Sequence, residues 1–379
     1  EVALAVAGRR VGGPAKVAVF SSALQGTISG SSVANVVTSG AFTIPMMKRL
    51  GYRKEFAGAV EASSSTGGQI MPPIMGAAAF LMAEFTGIDY WNIALAAAIP
   101  AVLYFAGIWI MVHFEARRTG LRGLTKEEMP DRWDVLKRSY LLTPILVILV
   151  ALMANASPIR AALYGILSCI IVGLFRADTR LNLKTFFLTL QEGARSALGV
   201  IAATACAGMI VGTVTLTGLG LKFANGLIEL AGGILLFTLI LTMVSSLLLG
   251  MGTPTTANYI ITSTIAAPAL IQLGVPVLAA HMFTFYFGIV ADITPPVALA
   301  AFAASGIAGG RAMRTGVESS KLAIAAFIIP YVFVLSPELL FIDAQWYETL
   351  FIVGTATAGM LGVSAGLVGF WFRPMAVWE

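Results

Sequence analysis

Two short stretches carry residue types able to hold a small ion inside an apolar chain: Ser29-Gly-Ser-Ser-Val-Ala-Asn35 and Gly252-Thr-Pro-Thr-Thr-Ala-Asn258. Both are hydroxyl-rich and helix-breaking, and both stand between apolar runs. Carbonyl oxygens released from a helix coordinate Na⁺, and the N-termini of half-helices face anionic groups. Small residues also let membrane helices pack closely, so Ser31 or Thr255 taken singly reads equally well as packing. Downstream of each stretch a polar segment precedes a proline pair: Ser63-Ser-Ser-Thr-Gly-Gly-Gln69 before Pro72-Pro73, and Asp292-Ile-Thr294 before Pro295-Pro296. Proline lacks an N–H and clashes with the preceding turn, so both helices are expected to break there. A carboxylate in an apolar helix is a functional candidate, which gives Asp292 an ion or substrate role, with capping a half-helix or pairing with a buried group as the alternative. Two matched constellations favour an ion site over packing.

Other chemistries find less support. Glu61, Glu192 and Arg195 lie one or two turns inside their helices and are expected to reach an interface, while Glu84 and Asp89 are expected on an outer surface. His113 and His281 fall near helix ends, with no Ser or Asp partner at a defensible spacing, so an enzyme is not expected. Cys169 and Cys206 sit in apolar segments and are expected as buried thiols without metal-ligand spacing. The chain holds no Gly-rich phosphate loop followed by Lys-Ser/Thr, which argues against direct coupling to ATP. The energy is expected from an ion gradient.

The elements that must position these residues are membrane helices. The 379 residues are 58% hydrophobic and 11% charged, against roughly 25% charged in a typical soluble domain. Apolar runs long enough to cross hydrocarbon recur at 92–112, 139–154, 159–175, 322–335 and 348–371. The net charge of +5 reflects Lys and Arg in short loops that set orientation, not nucleic-acid binding.

The chain also repeats itself at an offset of 223. Ala34-Asn35 meets Ala257-Asn258, Pro45 meets Pro268, Pro72-Pro73 meets Pro295-Pro296, and Ala77-Ala78 meets Ala300-Ala301. Each copy opens with two arms, 14–28 with 32–47 and 235–249 with 257–271. Arms of about 15 residues rise about 23 Å, short of a crossing, so each pair is expected to be a re-entrant hairpin with its tip near the midplane. The fold expected is therefore all-α and polytopic, with inverted repeats, two re-entrant hairpins and two broken helices. Basic residues (Arg9, Arg10, Lys16, Lys48, Arg49, Arg53 and Lys54) flank the first hairpin, whereas Phe223 to Gly310 holds no Lys or Arg. The two hairpins are thus expected to enter from opposite sides. The first repeat takes residues 1–114 (hairpin 14–48, broken helix 56–87, helix 92–114). A cytoplasmic loop and scaffold helices follow over 115–187, with Arg117, Arg118, Arg122, Lys126, Arg132, Lys137 and Arg138 in the loop. Helix 159–175 returns to Arg176, Arg180 and Lys184. The second repeat takes 188–310 (helix 188–217, hairpin 235–273, broken helix 278–308), and C-terminal helices fill 311–379.

Several motifs carry a family resemblance. Lys16-Val-Ala-Val-Phe-Ser-Ser22, Ser29–Asn35, Ile44-Pro-Met-Met-Lys-Arg-Leu-Gly-Tyr52, Glu61-Ala-Ser-Ser-Ser65 and Ile70-Met-Pro-Pro-Ile74 resemble the large membrane subunit of tripartite ATP-independent periplasmic (TRAP) transporters. Leu216-Thr-Gly-Leu-Gly-Leu-Lys-Phe223, Gly250-Met-Gly-Thr-Pro-Thr-Thr256, Ala279-Ala-His-Met-Phe-Thr-Phe-Tyr-Phe-Gly288 and Ile293-Thr-Pro-Pro-Val-Ala-Leu-Ala-Ala301 resemble its TAXI class, and the likeness runs from about residue 9 to 321. It implies an elevator-type, Na⁺-driven importer of a small organic anion, expected to be a carboxylate, in the bacterial inner membrane. Its implied partners are a periplasmic TAXI-type binding protein and a small four-helix subunit. That subunit is expected to be fused upstream, which would make the sequence N-terminally incomplete. The family's Na⁺ sites map onto Ser29, Ser31, Gly68, Met71 and Pro73 in the first repeat, and onto Gly252, Thr253, Thr255, Ala291, Thr294 and Pro296 in the second. Ser32, Asn35, Gln69, Thr256, Asn258 and Asp292 are expected to meet substrate. Asp292 stands where the family leads one to expect a small or neutral residue, and could add a cation ligand or admit proton coupling. The alternative is a stand-alone ion-coupled carrier or a channel of another inverted-repeat family.

Overall fold

Proline and glycine decide where the helices of this chain stop. In the computed structural model, which describes residues 2–125, 129, 139–154, 156–175, 182–371 and 373–375, α1 (Val2–Ala7) leads into α2 (Gly13–Ser29). Pro14 sits in the first turn of α2, where a missing N–H costs nothing, and Gly30 ends the helix at φ 61°. Ser31 caps α3 (Ser32–Arg49), its Oγ accepting from the Ala34 N–H at 3.4 Å. Next comes α4 (Lys54–Gly67), which passes through a 3-10 turn at Gly68–Ile70 into an irregular link. Met75 and Gly76 take φ 57° and 74° in that link before α5 (Ala77–Thr86) resumes. α6 (Tyr90–Arg118) is long and continuous.

The middle holds α7 (Thr143–Met153), which packs on α8 (Pro158–Gly173), then α9 (Leu183–Leu216) and α10 (Leu219–Leu230). α11 (Leu235–Gly250) and α12 (Thr255–Ile265) form a second helix pair, continued by α13 (Ala267–Gln272). α14 (Val277–Val290) enters a 3-10 turn at Ala291–Ile293, and after the link α15 (Leu299–Ala308) follows. The chain ends in α16 (Ala312–Leu322), α17 (Ile324–Leu335) and α18 (Trp346–Val368).

The offset of 223 recurs in the backbone. The 3-10 turns at 68–70 and 291–293 superpose in numbering, as do the positive φ values of Met75 and Ala298. The proline pairs 72–73 and 295–296 both have cis peptide bonds. Each resumed half-helix packs on the other copy: α15 lies against α3 and α4, and α5 lies against α12 and α14. α6, α17 and α18 pack together beside them, and α4 contacts α6. Four stretches among the described residues are long and apolar enough to cross a membrane: Tyr90–Arg118, Leu183–Leu216, Ala312–Leu335 and Trp346–Val368.

Four readings need correction. The second arm, expected to run unbroken over 257–271, divides at Ala266, because Pro268 cannot donate to the carbonyl four residues back. α10 and α16 were not anticipated: both are short amphipathic helices in stretches that charge counting treats as loop. The helix expected from 188 begins at Leu183, where Asn182 caps it by accepting from Thr185 N–H at 2.7 Å. Cys169 and Cys206 are exposed, because an apolar segment covered by lipid need not be covered by protein. Lys126, Arg132, Lys137, Arg138, Arg176 and Arg180 lie outside the described residues.

Candidate functional site

Two glycine pairs seat the first helix pair on the break that follows it. A Cβ on Gly26 would stand 2.2 Å from Gly68 Cα, and one on Gly30 would stand 2.6 Å from Gly76 Cα, so these backbones touch where any side chain would separate them. Asn35, fully buried, donates from Nδ2 to Ser22 O at 3.2 Å and ties the two arms together. Its counterpart Asn258 donates to Gly250 O at 3.3 Å and to Gly288 O at 2.6 Å, joining α11 to α14. The Oδ1 of each asparagine is buried without a hydrogen-bond partner.

The two copies meet at Asp292. Ser32 Oγ, at the start of α3, donates to Asp292 Oδ2 at 2.6 Å across 260 residues of sequence. The Gln69 side chain lies beside the same carboxyl, yet neither of its buried polar atoms completes a hydrogen bond of good geometry. Ser32 and Gln69 are 1% and 0% exposed, and Asp292 is 6% exposed. One tip, the first break and the second break therefore converge on a single buried polar cluster. Its free oxygens and amide N–H groups are the kind that coordinate a small cation or grip an anionic oxygen.

The remaining expected site residues are distributed around this centre. Ser29 is exposed at the end of α2, and Ser31 is half-buried as a helix cap. Gly68 is buried, and Met71 and Pro73 are half-buried in the link. Pro73 O and Ile74 O accept from the Tyr90 O–H at 2.5 and 2.6 Å. Gly252 is exposed at φ 77°, and Thr253, Thr255 and Thr256 are half-buried. Ala291 is buried, Thr294 is half-buried, and Pro296 is exposed. The Thr253 and Thr294 hydroxyls donate to Gly250 O and Val290 O at 3.1 and 2.8 Å. The structure thus joins Ser32, Gln69 and Asp292, and leaves Ser29, Gly252 and Pro296 at the surface.

Glu61 overturns its expectation. Instead of reaching an interface it is 0% exposed, because every residue of α4 from Phe56 to Gly67 is buried by surrounding helices. It accepts from Ser22 Oγ at 2.9 Å and Ser65 Oγ at 3.1 Å, and also from Ser39 Oγ and Thr43 Oγ1. A signal was present in the sequence: Ser39 and Thr43 share a helix face at i, i+4, as do Glu61 and Ser65. Glu192, Arg195, Glu84 and Asp89 are exposed. His281 Nδ1 meets the Tyr259 hydroxyl at 2.8 Å and His113 Nδ1 meets Lys16 Nζ at 3.0 Å. Among the described residues no group of three or more His, Cys, Asp or Glu side chains is placed to hold a metal.

Comparison with known proteins gives a family match over residues 1–346, to the family described as tripartite ATP-independent periplasmic transporter, DctM component. The chain is similar to a sialic acid TRAP transporter permease of Haemophilus influenzae, 25% identical over 334 residues, covering 85% of this chain and 51% of that protein. It is 24% identical over 307 residues to an isethionate TRAP transporter permease of Oleidesulfovibrio alaskensis, covering 79% of this chain and 47% of that protein. A 2,3-diketo-L-gulonate TRAP transporter large permease of Escherichia coli is 23% identical over 354 residues, covering 91% and 81%. The chain spans about half the length of the first two of these relatives.

Proposed function

The chain belongs to the DctM component family of tripartite ATP-independent periplasmic transporters, and from that premise we propose that it is the large membrane subunit of a Na⁺-driven importer of a small organic anion. It is a multi-pass helical membrane protein. The proposed reading places it in a bacterial inner membrane, working with a TAXI-type periplasmic binding protein and a small four-helix membrane subunit. The three relatives carry in their names a sialic acid, a sulfonate and a keto acid, which supports an anionic substrate; a carboxylate is the class we favour. In this reading the helix pairs α2–α3 and α11–α12 are re-entrant, the copies are inverted in the bilayer, and both pairs move with α4–α5 and α14–α15 as one elevator past a scaffold of α6, α17 and α18.

One observation carries the proposal: the Ser32–Asp292 contact at 2.6 Å. It brings the tip of one repeat to the broken helix of the other, beside the buried Gln69 amide, and such a meeting of discontinuous helices is where secondary transporters hold ion and substrate. The Na⁺ ligands are proposed from the oxygens of Ser29, Ser31, Gly68, Met71 and Pro73 in one repeat and of Gly252, Thr253, Thr255, Ala291, Thr294 and Pro296 in the other. Ser32, Asn35, Gln69, Thr256, Asn258 and Asp292 would meet the substrate.

The test is uptake into proteoliposomes holding the complete transporter, with sialic acid, isethionate and 2,3-diketo-L-gulonate as the initial probes and the cognate binding protein's own ligand added once identified. Uptake that needs both an inward Na⁺ gradient and the binding protein is expected. Uptake equally fast without either would overturn the reading in favour of a stand-alone carrier or channel.

A further inference from the structure

Glu61 lies outside the tip-and-break cluster, two helical turns up α4 from Gln69, and its surroundings differ from those of Asp292. Four hydroxyls surround its carboxyl: Ser22 from α2, Ser39 and Thr43 from α3, and Ser65 from its own helix. A hydroxyl has one proton to give. Ser39 Oγ also lies 2.7 Å from Asn35 O, and Thr43 Oγ1 lies 3.1 Å from Ser39 O. Each of these two hydroxyls therefore has two acceptors and a choice between them.

That choice defines two complete hydrogen-bonding states on one set of heavy atoms. With Glu61 ionised, all four hydroxyls donate to the carboxylate. With Glu61 protonated, its new O–H on Oε2 donates to Thr43 Oγ1; Thr43 then turns its own proton to Ser39 O, Ser39 turns to Asn35 O, and Ser22 and Ser65 still donate to Oε1. One proton enters and two hydroxyls rotate. No polar atom of the cluster is left unpaired in either state, so the desolvation penalty of an orphaned group is avoided in both.

The charged groups on the neighbouring elements are occupied elsewhere. Lys16 on α2 faces His113 and lies over the Trp109 ring, Lys48 on α3 donates to Ala308 O, and Asp292 faces Ser32. Before α4, Arg53 pairs with Glu115 of α6 and Glu318 of α16, Arg118 pairs with Glu115, and Glu55 accepts from Arg311 N–H. On α6, Tyr104 donates to Ser63 O. Arg49, Arg311, Arg314, Arg117 and Lys321 are exposed.

Packing alone does not require this carboxyl. The residue related to Glu61 by the repeat is Thr284, and those related to Thr43 and Ser65 are Ala266 and Gly288. The second helix pair nonetheless packs on its own broken helix, with Thr284 and Thr262 bonded to backbone of their own helices. A carboxylic acid confined to one repeat, with a hydroxyl network that accepts either of its forms, suits a proton carrier. We infer that Glu61 is a proton-binding site of the first repeat, separate from the Ser32–Gln69–Asp292 cluster, which loads and releases one proton during the transport cycle. The inference rests on the transporter reading for its purpose but not for its chemistry.

Infrared difference spectroscopy of the purified full chain in lipid nanodiscs tests it with the proton itself as probe, so neither a substrate nor a binding protein is needed. A protonated-carboxyl C=O band that disappears reversibly on raising the pH from about 5 to about 9, a range that buried carboxyls reach, is expected. Asp292→Asn serves as the background, so that the other buried carboxyl of the repeats contributes no band: the band should be present there and absent once Glu61→Gln is added. Should Glu61→Gln fail to fold, Ser39→Ala with Thr43→Val keeps the carboxyl but removes the rotating donors, and is expected to move both the band and its titration midpoint. A band that persists when Glu61→Gln is added to Asp292→Asn, one that never titrates, or one unchanged by Ser39→Ala with Thr43→Val overturns the proposal. Loss of uptake in the earlier assay with this titration intact would count against the transporter reading alone.

Discussion

At the scale of single residues, the informative feature is what remains unsatisfied. Gln69 is fully buried, yet both polar atoms of its side chain lack a partner of good geometry beside Asp292. An unsatisfied buried polar group costs roughly 1–3 kcal/mol, and a fold keeps such a group only where something else holds it. Gln69→Leu therefore separates function from stability. Its thermal midpoint in detergent should stay level or rise, while substrate uptake falls more than about 10-fold, equivalent to about 1.4 kcal/mol of lost interaction. A clear drop in the midpoint would mean that the amide is a structural group after all. Sequence reading singled out Gln69 and Asp292 because a polar residue just before a proline pair stands out in an apolar helix. It misplaced Glu61 because position along a helix says nothing about how many neighbours surround it, and α4 is covered on every side.

At the scale of elements, the two tips look alike in sequence but not in how their helices start. Ser31 precedes α3 as its cap, at φ −137°, whereas Thr255 is the first helical residue of α12, after Pro254 at φ −60° and ψ 147°. Proline fixes φ near −65° and pushes the residue before it toward extended backbone. Ser31→Pro conflicts with its own φ, with Gly30 at φ 61° and ψ 8°, and with the lost cap, a combined cost of about 2 kcal/mol or more. Thr255→Pro meets none of these, because the first helical position tolerates proline, Pro254 is already extended and no side-chain cap is lost. Melting curves should show Ser31→Pro destabilised and Thr255→Pro close to the parent chain. The second variant should still lose Na⁺ affinity about 10-fold, or about 1.4 kcal/mol, if the Thr255 hydroxyl is a ligand; unchanged Na⁺ dependence would remove it from the site. The breaks were legible because Gly and Pro act locally. α10 and α16 were not, since their amphipathic faces gain their meaning from helices far away in the chain.

At the scale of the whole molecule, the two copies interlock. α15 packs on α3 and α4, and α5 packs on α12 and α14, so each half-helix leaving a break is held by the other repeat. Offset matching revealed that there are two copies but not that they interlock, because long-range contacts leave no periodicity. Lys48 Nζ donates to Ala308 O at 2.6 Å across the same interface, and Ser63 Oγ donates to Ser319 O of α16 at 3.0 Å beside it. The proposed elevator body, if made this way, should move as one piece past α6, where Gly67 lies so near Tyr104 that a Cβ would stand 2.1 Å from its ring. Paired cysteines in a chain with Cys169 and Cys206 changed to Ser make this measurable. A cross-link between Gly58→Cys and Ala304→Cys lies inside the proposed body, since a Gly58 Cβ would stand 3.4 Å from Ala304 O, and uptake should survive it. One between Gly107→Cys and Ala325→Cys lies within the scaffold, where the Cβ atoms would start 2.6 Å apart and must separate to the roughly 3.8 Å of a disulfide; uptake that survives the substitutions should survive the cross-link as well. A cross-link between Gly67→Cys and Tyr104→Cys spans the sliding surface, so uptake should stop on oxidation and return on reduction. If that last cross-link leaves uptake intact while the first abolishes it, the moving boundary runs between the repeats and the single-body elevator is wrong.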